Sequence, residues 1–345
     1  MGSILVVNAG STSLKLHIVS TDERVQTVES LDTPLSEIQA VGHRVVHGGP
    51  DLVEPAIIDE SVLASIRELR SIAPLHNTPA LSGIDAARRV YPSAPHVAVF
   101  DTAFHTTIPA EAATYALPRI WREEWGIRRY GFHGLSVQWA SERVSELLGD
   151  ADLRTVVCHL GGGCSVTAVR GGRSIDTTMG FTPLDGVPMA TRSGSVDPGA
   201  LLFVQRVHGV SIDELDQALN EESGLAGLSD GRDVPALEAA EPVDDSARVA
   251  LDVYTYRIAG AVAAMTAALG GLDVLVFTAG VGEHSVKVRA HVCMRLRFLG
   301  VELDPELNDR AVPDADVAVP ESATRVLVIA AREELVVARA VRALL

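Results

Sequence analysis

Two short loops in this 345-residue chain have the make-up of phosphate sites. The first, NAGSTSLK at 8–15, follows an apolar run at 4–7 and carries one glycine, three hydroxyl side chains and Lys15. The second, HLGGGCS at 159–165, follows a second apolar run. Turns of glycine and serine let the main chain approach phosphate oxygens closely, and hydroxyls add donors. Lys15 adds a point charge. Neither loop has the strand-to-helix pattern G-x-x-x-x-G-K-[ST]. Each is followed instead by a run that reads as a second strand, LKLHIV at 14–19 and SVTAV at 165–169. A third stretch, DVLVFTAGVGEHS at 273–285, runs from a buried strand through a glycine-rich turn into a helix. That places backbone N–H groups where an anion or nucleotide can sit. One hairpin loop alone reads as a plain turn; two matched loops and the third segment together favour a nucleotide.

Isolated side chains add candidates. Arg44 in GHRVVHGG and Arg192 in TRSGSVDPG lie between small residues at turns. Arginine is permanently charged and grips carboxylate or phosphate in a bidentate way. A lone arginine is more often half of a structural ion pair. Asp101 ends the strand-like run HVAVFD, where α/β folds place ligand groups; the bland alternative is a capping carboxylate. His76, His133 and His159 sit in turns flanked by glycine or proline, without the short ligand spacing of a transition-metal site. A donor role toward phosphate suits them better.

Elements to carry these residues follow from the pattern. The apolar run, polar residue, small residues, serine and strand at 4–19 recur at 155–172, which is an internal repeat by pattern rather than by identity. The length favours two domains, with 1–102 plus a C-terminal helix at 335–345 in the first and 103–334 in the second. Helices are expected at 59–73 and 81–91, with APLHNTPA at 73–80 as a break and 106–130 as a loop. Residues 258–272 read as a buried helix, and 324–345 as a strand, an acidic pair and a terminal helix.

Composition narrows the function. Hydrophobic residues make up 47% and charged residues 21%, as in ordinary globular chains. The formal net charge of -16 opposes nucleic acid and anionic membrane as partners. An anionic small molecule must then meet a local basic site. The three cysteines, Cys158, Cys164 and Cys293, form no C-x-x-C, so a reduced, cytoplasmic setting is expected. No signal peptide or membrane span is expected either.

At this point the motifs NAGSTSLK, GHRVVHGG, APLHN, FDTAFH, YGFHG, HLGGGCS, DTTMGFTPLDG, TRSG, FTAGVGEHS and REEL, in that order over nearly the whole chain, resemble the acetate kinase (acetokinase) family. The resemblance implies an α/β fold of two duplicated actin-like, ribonuclease H-like domains with mixed sheets and an interdomain nucleotide cleft. That is the fold of acetate and sugar kinases, heat-shock chaperone ATPases and actin. It implies reversible transfer of the ATP γ-phosphoryl group to acetate with Mg²⁺, Mn²⁺ being an alternative, and a homodimer.

Matched residue by residue, the resemblance assigns Asn8 and Glu333 to Mg²⁺, largely through water. It sets Ser11, Ser13 and Lys15 toward the phosphates, Arg44 on the substrate carboxylate, and Arg192 with His133 on the transferring phosphoryl. Asp101 matches an essential acidic residue, a proton donor or acceptor in the family. Acetate is already ionised near neutral pH and needs no base, so Asp101 is expected to orient Arg44 or the metal shell. His159, Leu160, Gly161, Gly162 and Gly163 match the nucleotide phosphate loop. Asp230, Gly231 and Arg232, with Gly280, Val281, Gly282, Glu283 and His284, match the adenosine segments. Val46, Leu75, Phe132 and Pro183 match the residues that pack on the acetate methyl. Such walls discriminate one methylene by only about 1–3 kcal/mol, so propionate is an alternative substrate. A chaperone-like ATPase switch without an acceptor, or a regulatory nucleotide-binding protein without turnover, would be a different class.

The chain departs from the family pattern in places. The stretch from Lys15 to Arg44 is much shorter. Gly162 stands where an asparagine is usual, and Arg332 replaces an asparagine beside Glu333. Val137 replaces a histidine, and Ser195 an acidic residue.

Overall fold

A computed structural model describes residues 2–9, 14–31, 37–69 and 74–345, with side chains for all of these except 74–76. The chain divides into two compact units. The first comprises Met1–Thr107, Tyr130–Trp139 and Arg332–Leu345; the second comprises Ile108–Arg129 and Ala140–Ala331. Residues 130–139 thus pack with the first unit, inside the stretch that the sequence reading gives to the second.

The first unit contains β1 (Ser3–Ala9), β2 (Leu14–Val19), β3 (Val25–Val28), β4 (Ile38–Val45), β5 (Ala56–Ile57) and β6 (His96–Phe100) in the order β3-β2-β1-β4-β6-β5. β1 and β2 form the expected antiparallel hairpin, with Asn8 opposite Lys15. β1, β4 and β6 run parallel, and the register sets Asn8 beside Arg44 and Val45 beside Phe100. The polar residues that follow each apolar run therefore gather at one edge, the carboxyl ends of the parallel strands.

The continuous apolar run in β1 has a physical cause. Successive side chains point to opposite faces, and both faces are covered. Ile4 and Val6 pack against Leu335, Val337 and Val341 of the helix Glu333–Leu344. Leu5 and Val7 pack against Ala87 of the helix Pro74–Val90. Gly42 in β4 permits the first contact. A Cβ there would lie 2.6 Å from Val337 Cγ1 and 2.9 Å from Val341 Cγ2.

Three expectations are corrected. The stretch 73–80 does not interrupt helix: the helix Pro74–Val90 begins within it. Pro74 sits in the first turn, where no N–H bond is needed, and Pro79 forgoes one ladder bond. The preceding helix is shorter than expected, Glu60–Glu68, and is capped by the Asp59 carboxylate accepting from Val62 N–H. The stretch 106–130, expected as a loop, contains the short helices Ala110–Ala113 and Arg119–Glu123.

The second unit repeats the first. Its strands are β7 (Arg154–Leu160), β8 (Cys164–Arg170), β9 (Arg173–Thr177), β10 (Val274–Thr278), β11 (Ala315–Asp316) and β12 (Arg325–Val328), in the order β11-β12-β10-β7-β8-β9. Each has a counterpart: β7–β8–β9 is an antiparallel meander like β1–β2–β3. β7, β10 and β12 run parallel like β1, β4 and β6, and the two-residue strands β5 and β11 are antiparallel edges. The internal repeat extends from one hairpin to a six-stranded sheet, so the two domains are similar mixed α/β units. The buried stretch from 258 belongs to the 25-residue helix Asp245–Leu269, which Gly270 ends in the left-handed conformation.

Candidate active site

Arg44 is the hub of the first unit's site. It extends from β4 with its side chain 13% exposed, while the Asp101 side chain just beyond β6 is fully buried. Arg44 Nε donates to Asp101 Oδ1 at 2.9 Å and Nη2 to Oδ2 at 2.5 Å, a fork-to-fork pair. Nη1 donates to Asn8 Oδ1 at 3.1 Å, and Asn8 Nδ2 donates to Glu333 Oε2 at 3.1 Å. Glu333 Oε2 also lies 3.6 Å from Arg44 Nε. Four sequence-predicted residues therefore meet in one network. Burial opposes the charge on Arg44, but the carboxylates of Asp101 and Glu333 outweigh it and raise its pKa. Burial pushes the Asp101 carboxyl up, against the pull of Arg44 and a backbone N–H of His133. A guanidinium keeps its proton throughout the neutral range, so the contact is an ion pair.

The segment at 130–134 wraps over Asp101. His133 takes φ +58, uncommon for a residue with a Cβ. Asp230 (φ +54) and Ala279 (φ +65) share this conformation, so each of three predicted segments holds one strained residue. Val46 and Phe132 are buried at 4% and 1% exposure. His47 joins them, its ring 4.6 Å from Tyr130 and 5.5 Å from Phe132.

Asn77 and Thr102 escaped the sequence reading. Asn77 is wholly buried. It accepts from His47 N–H through Oδ1 and donates to His47 O through Nδ2, both at 3.2 Å. Thr102 Oγ1 accepts from Gly48 N–H at 3.0 Å. Their only sequence signal is position, in APLHN and directly after Asp101. Ser11, Ser13 and the side chain of Leu75 lie outside the described residues. Lys15 is exposed on β2, across from Asn8.

Buried histidines support this unit and make it acid-sensitive. His105, on the turn after Asp101, donates through Nε2 to Phe132 O at 2.9 Å. Burial pushes its pKa down from 6.5 to about 4. His96 donates through Nε2 to Tyr91 O, leaving Nδ1 to accept from His43 Nε2 at 2.9 Å. Burial lowers the pKa of both members of that pair. Between pH 6.5 and 4 the unfolded chain binds more protons than the folded one. Stability is therefore full above about pH 6.5 and falls as pH drops; His105 alone accounts for about 3 kcal/mol by pH 4. Urea unfolding at pH 7.5, 5.5 and 4.5 should show a falling midpoint, and a constant midpoint would exclude this account.

The other sequence-predicted residues lie in the second unit. In the β7–β8 loop, Gly161 N–H donates to Gly163 O at 3.0 Å and Gly162 O accepts from Ala190 N–H at 3.2 Å. His159 is 8% exposed and pairs with Thr278 at the parallel edge of β10. Leu160 is fully buried, so only its main chain can meet a ligand. A Cβ at Gly162 would meet nothing within 4 Å, so a side chain could start there without a clash. Gly280 is equally open, at the start of the helix Ala279–His284. Val281 is half-buried, Gly282 buried and His284 exposed. The Glu283 carboxylate is engaged within its own unit, where Oε1 accepts from Ala331 N–H at 2.9 Å.

Arg192 is half-buried on the 186–195 loop, and burial lowers its pKa. Its carbonyl accepts from Met189 N–H at 3.0 Å. Gly224, at φ +61, lets that turn close: a Cβ there would lie 2.2 Å from Met189 O. Ser195, a departure from the family, donates to Asp185 Oδ1 at 2.6 Å and accepts from Gly186 N–H. Gly231 N–H donates to Ala226 O at 3.0 Å. Arg232 pairs with Asp244 at 2.5 Å. Pro183 is buried in this unit.

Among the described residues no three His, Cys, Asp or Glu side chains group to hold a metal ion. The Asn8 and Glu333 oxygens suit a hard cation that keeps most of its ligands as water and phosphate. Within those residues no helix is long and apolar enough to cross a membrane.

Comparison with known proteins yields one consistent set. The family model described as "Acetokinase family" matches residues 23–339. An acetate kinase of Nostoc punctiforme is 49% identical over 311 residues, covering 88% of this chain and 76% of the relative. A crystal structure of a propionate kinase from Francisella tularensis superposes with a TM-score of 0.93 at 34% identity, covering 99% of each chain. The crystal structure of Porphyromonas gingivalis acetate kinase superposes with a TM-score of 0.87 at 33% identity, covering 98% of each.

Proposed function

The chain belongs to the acetokinase family, and we propose on that premise that it transfers the ATP γ-phosphoryl group reversibly to acetate, giving acetyl phosphate and ADP. The supporting observation is the Arg44–Asp101 fork with Asn8 and Glu333 beside it, in a unit where the apolar Val46 and Phe132 are buried. An ATPase switch has no use for a permanent cation together with apolar walls; a small carboxylate does.

A carboxylate oxygen of acetate attacks the γ-phosphorus, and the bond to the ADP oxygen breaks. Acetate arrives ionised, so no base is needed. The protein must bring anions together, hold them in line and neutralise the equatorial oxygens. Arg44 binds the acetate carboxylate, and Asp101 fixes the plane of its guanidinium. Arg192 and His133 stabilise the charge on the phosphoryl group in flight. The loop 159–163 and Lys15 take the phosphates. Residues 230–232 and 280–284 take the nucleoside, there through main chain more than through Arg232 or Glu283, whose charged groups have protein partners. The reaction uses a divalent cation, for which we propose Mg²⁺, with Mn²⁺ as the alternative. Asn8 and Glu333 would hold it, and bound there it would neutralise phosphate charge.

Propionate is the second reading, favoured by the likeness to the Francisella propionate kinase and by the weak discrimination of apolar walls, about 1–3 kcal/mol per methylene. We also propose a homodimer through the second unit, because Leu202, Phe203 and Val207 of the helix Pro198–His208 are 49%, 55% and 61% exposed. A cytoplasmic setting fits the three free, buried cysteines. Trapping acyl phosphate with hydroxylamine across formate, acetate, propionate and butyrate tests the reading. Acetate and propionate should give hydroxamate, and formate little for lack of a methyl contact. ATP turnover without any hydroxamate would contradict it. On sedimentation the active species should weigh twice 36.5 kDa.

A further inference from the structure

Among the described residues Arg289 is the largest wholly buried side chain, at 1% exposure. It lies on the helix Val286–Arg295 of the second unit. All its acceptors are neutral. Nε donates to Asn308 Oδ1 at 2.7 Å and Nη2 to Asn308 O at 2.9 Å. Nη1 donates to Gly282 O at 3.0 Å and Glu283 O at 2.8 Å. Asn308 is fixed in turn, donating through Nδ2 to Val286 O at 3.0 Å.

Burying an arginine with no carboxylate in direct contact is costly, the Glu238 carboxylate acting on it only at longer range, and an apolar side chain would fill the same volume. The charge is used instead on two carbonyls in the last turn of the helix Ala279–His284, which its own ladder leaves unpaired. The same turn is tied a second time, Glu283 Oε1 accepting from Ala331 N–H. Gly280, at the start of the helix, stays open.

We propose that Arg289 is a positioning residue for the nucleotide: it locks the main chain of 280–284 from the buried side, so that the open side meets ATP or ADP already formed. The inference rests on the assignment of 280–284 to nucleotide binding. Preformed main chain lowers the ordering cost of binding, so the effect falls on nucleotide affinity and spares acetate.

The test is calorimetric titration with ADP, with steady-state kinetics and thermal unfolding, on wild type, Arg289→Met, Arg289→Lys and Asn308→Ala. In Arg289→Met, ADP Kd and ATP KM should rise about tenfold or more, and acetate KM should stay within about twofold. Arg289→Lys should recover part of the loss, because an ammonium keeps some of the bonds. Asn308→Ala removes one acceptor and spares both bonds to the turn; it should weaken ADP by about two- to fivefold. If Arg289→Met does not fold, the other two variants decide. Lower melting temperatures with unchanged ADP Kd and ATP KM would overturn the proposal, leaving Arg289 a purely structural residue. Wild-type protein that binds no ADP would instead overturn the nucleotide reading beneath it.

Discussion

Replacing Arg192 with alanine is expected to lower kcat by about 10³–10⁵-fold while ATP KM moves by no more than about threefold. The reason is where the interaction is made. Charge on the equatorial phosphoryl oxygens is best met by a fixed donor when the group is between its two partners, so the stabilisation belongs mainly to the transition state. The loop itself should survive the change. Its close turn depends on the backbone pairing between Met189 N–H and Arg192 O and on Gly224, none of which needs the guanidinium. The contact from Arg192 Nη1 to Met189 Sδ, at 4.0 Å, is a weak one. Arg192→Lys should recover only part of the rate, because a point charge cannot reproduce the planar fork. Initial-rate kinetics with ATP varied at saturating acetate decide the matter: a large rise in ATP KM with kcat intact would assign Arg192 to ground-state nucleotide binding.

Asp101→Asn is the second large effect, and it separates two roles for the same carboxylate. Arg44 is nearly buried, and Asp101 supplies both oxygens of its fork. An amide offers one acceptor and no charge, so Arg44 loses its main compensation, keeping only Glu333, and its fixed plane. Breaking a buried pair by removing one partner costs about 3–5 kcal/mol of stability. A misaimed Arg44 should raise acetate KM and lower kcat/KM for acetate by about 10²–10³-fold. A general-base role makes a different forecast: kcat would fall and acetate KM would stay put, since the carboxylate-binding cation would be undisturbed. Acetate-varied kinetics and urea unfolding on one preparation distinguish them. Near wild-type stability together with an unchanged acetate KM would contradict the positioning role.

Much of the fold is legible because its strongest signals are local. The unbroken apolar run of β1 announces a strand covered on both faces, and the polar residue after it marks the strand end where Asn8 sits. The repeat of that grammar at 155–172 exposes the duplication. The sheet order is not local: pairing β1 with β4 and β4 with β6 depends on helices packed across both faces. The helix beginning at Pro74 is hidden because proline in a sequence signals a break, whereas the first turn of a helix accommodates it.

The candidate site divides along the same line. Asn8 and Asp101 stand out as polar residues at the ends of apolar runs, Arg44 and Glu333 lie in recognisable motifs, and the four converge. What stays hidden are partners that act across long separations. Asn77 holds the main chain at His47, 30 positions away. Glu283 looks like a ligand in GVGEH, yet its carboxylate serves Ala331, 48 positions on. Arg289 sits in an unremarkable helical stretch, and only its burial reveals the turn it holds. Spacing reports which residues share a strand or a turn, whereas these bonds depend on the folded path between segments.

The most direct measurement is ATP formation by the purified chain from ADP and acetyl phosphate with Mg²⁺, followed with acetate release. Phosphoryl transfer between a carboxylate and the nucleotide predicts ATP and acetate appearing together in equal amounts, with no phosphate released. Acetyl phosphate left unconsumed, or lost to phosphate without ATP, would contradict it.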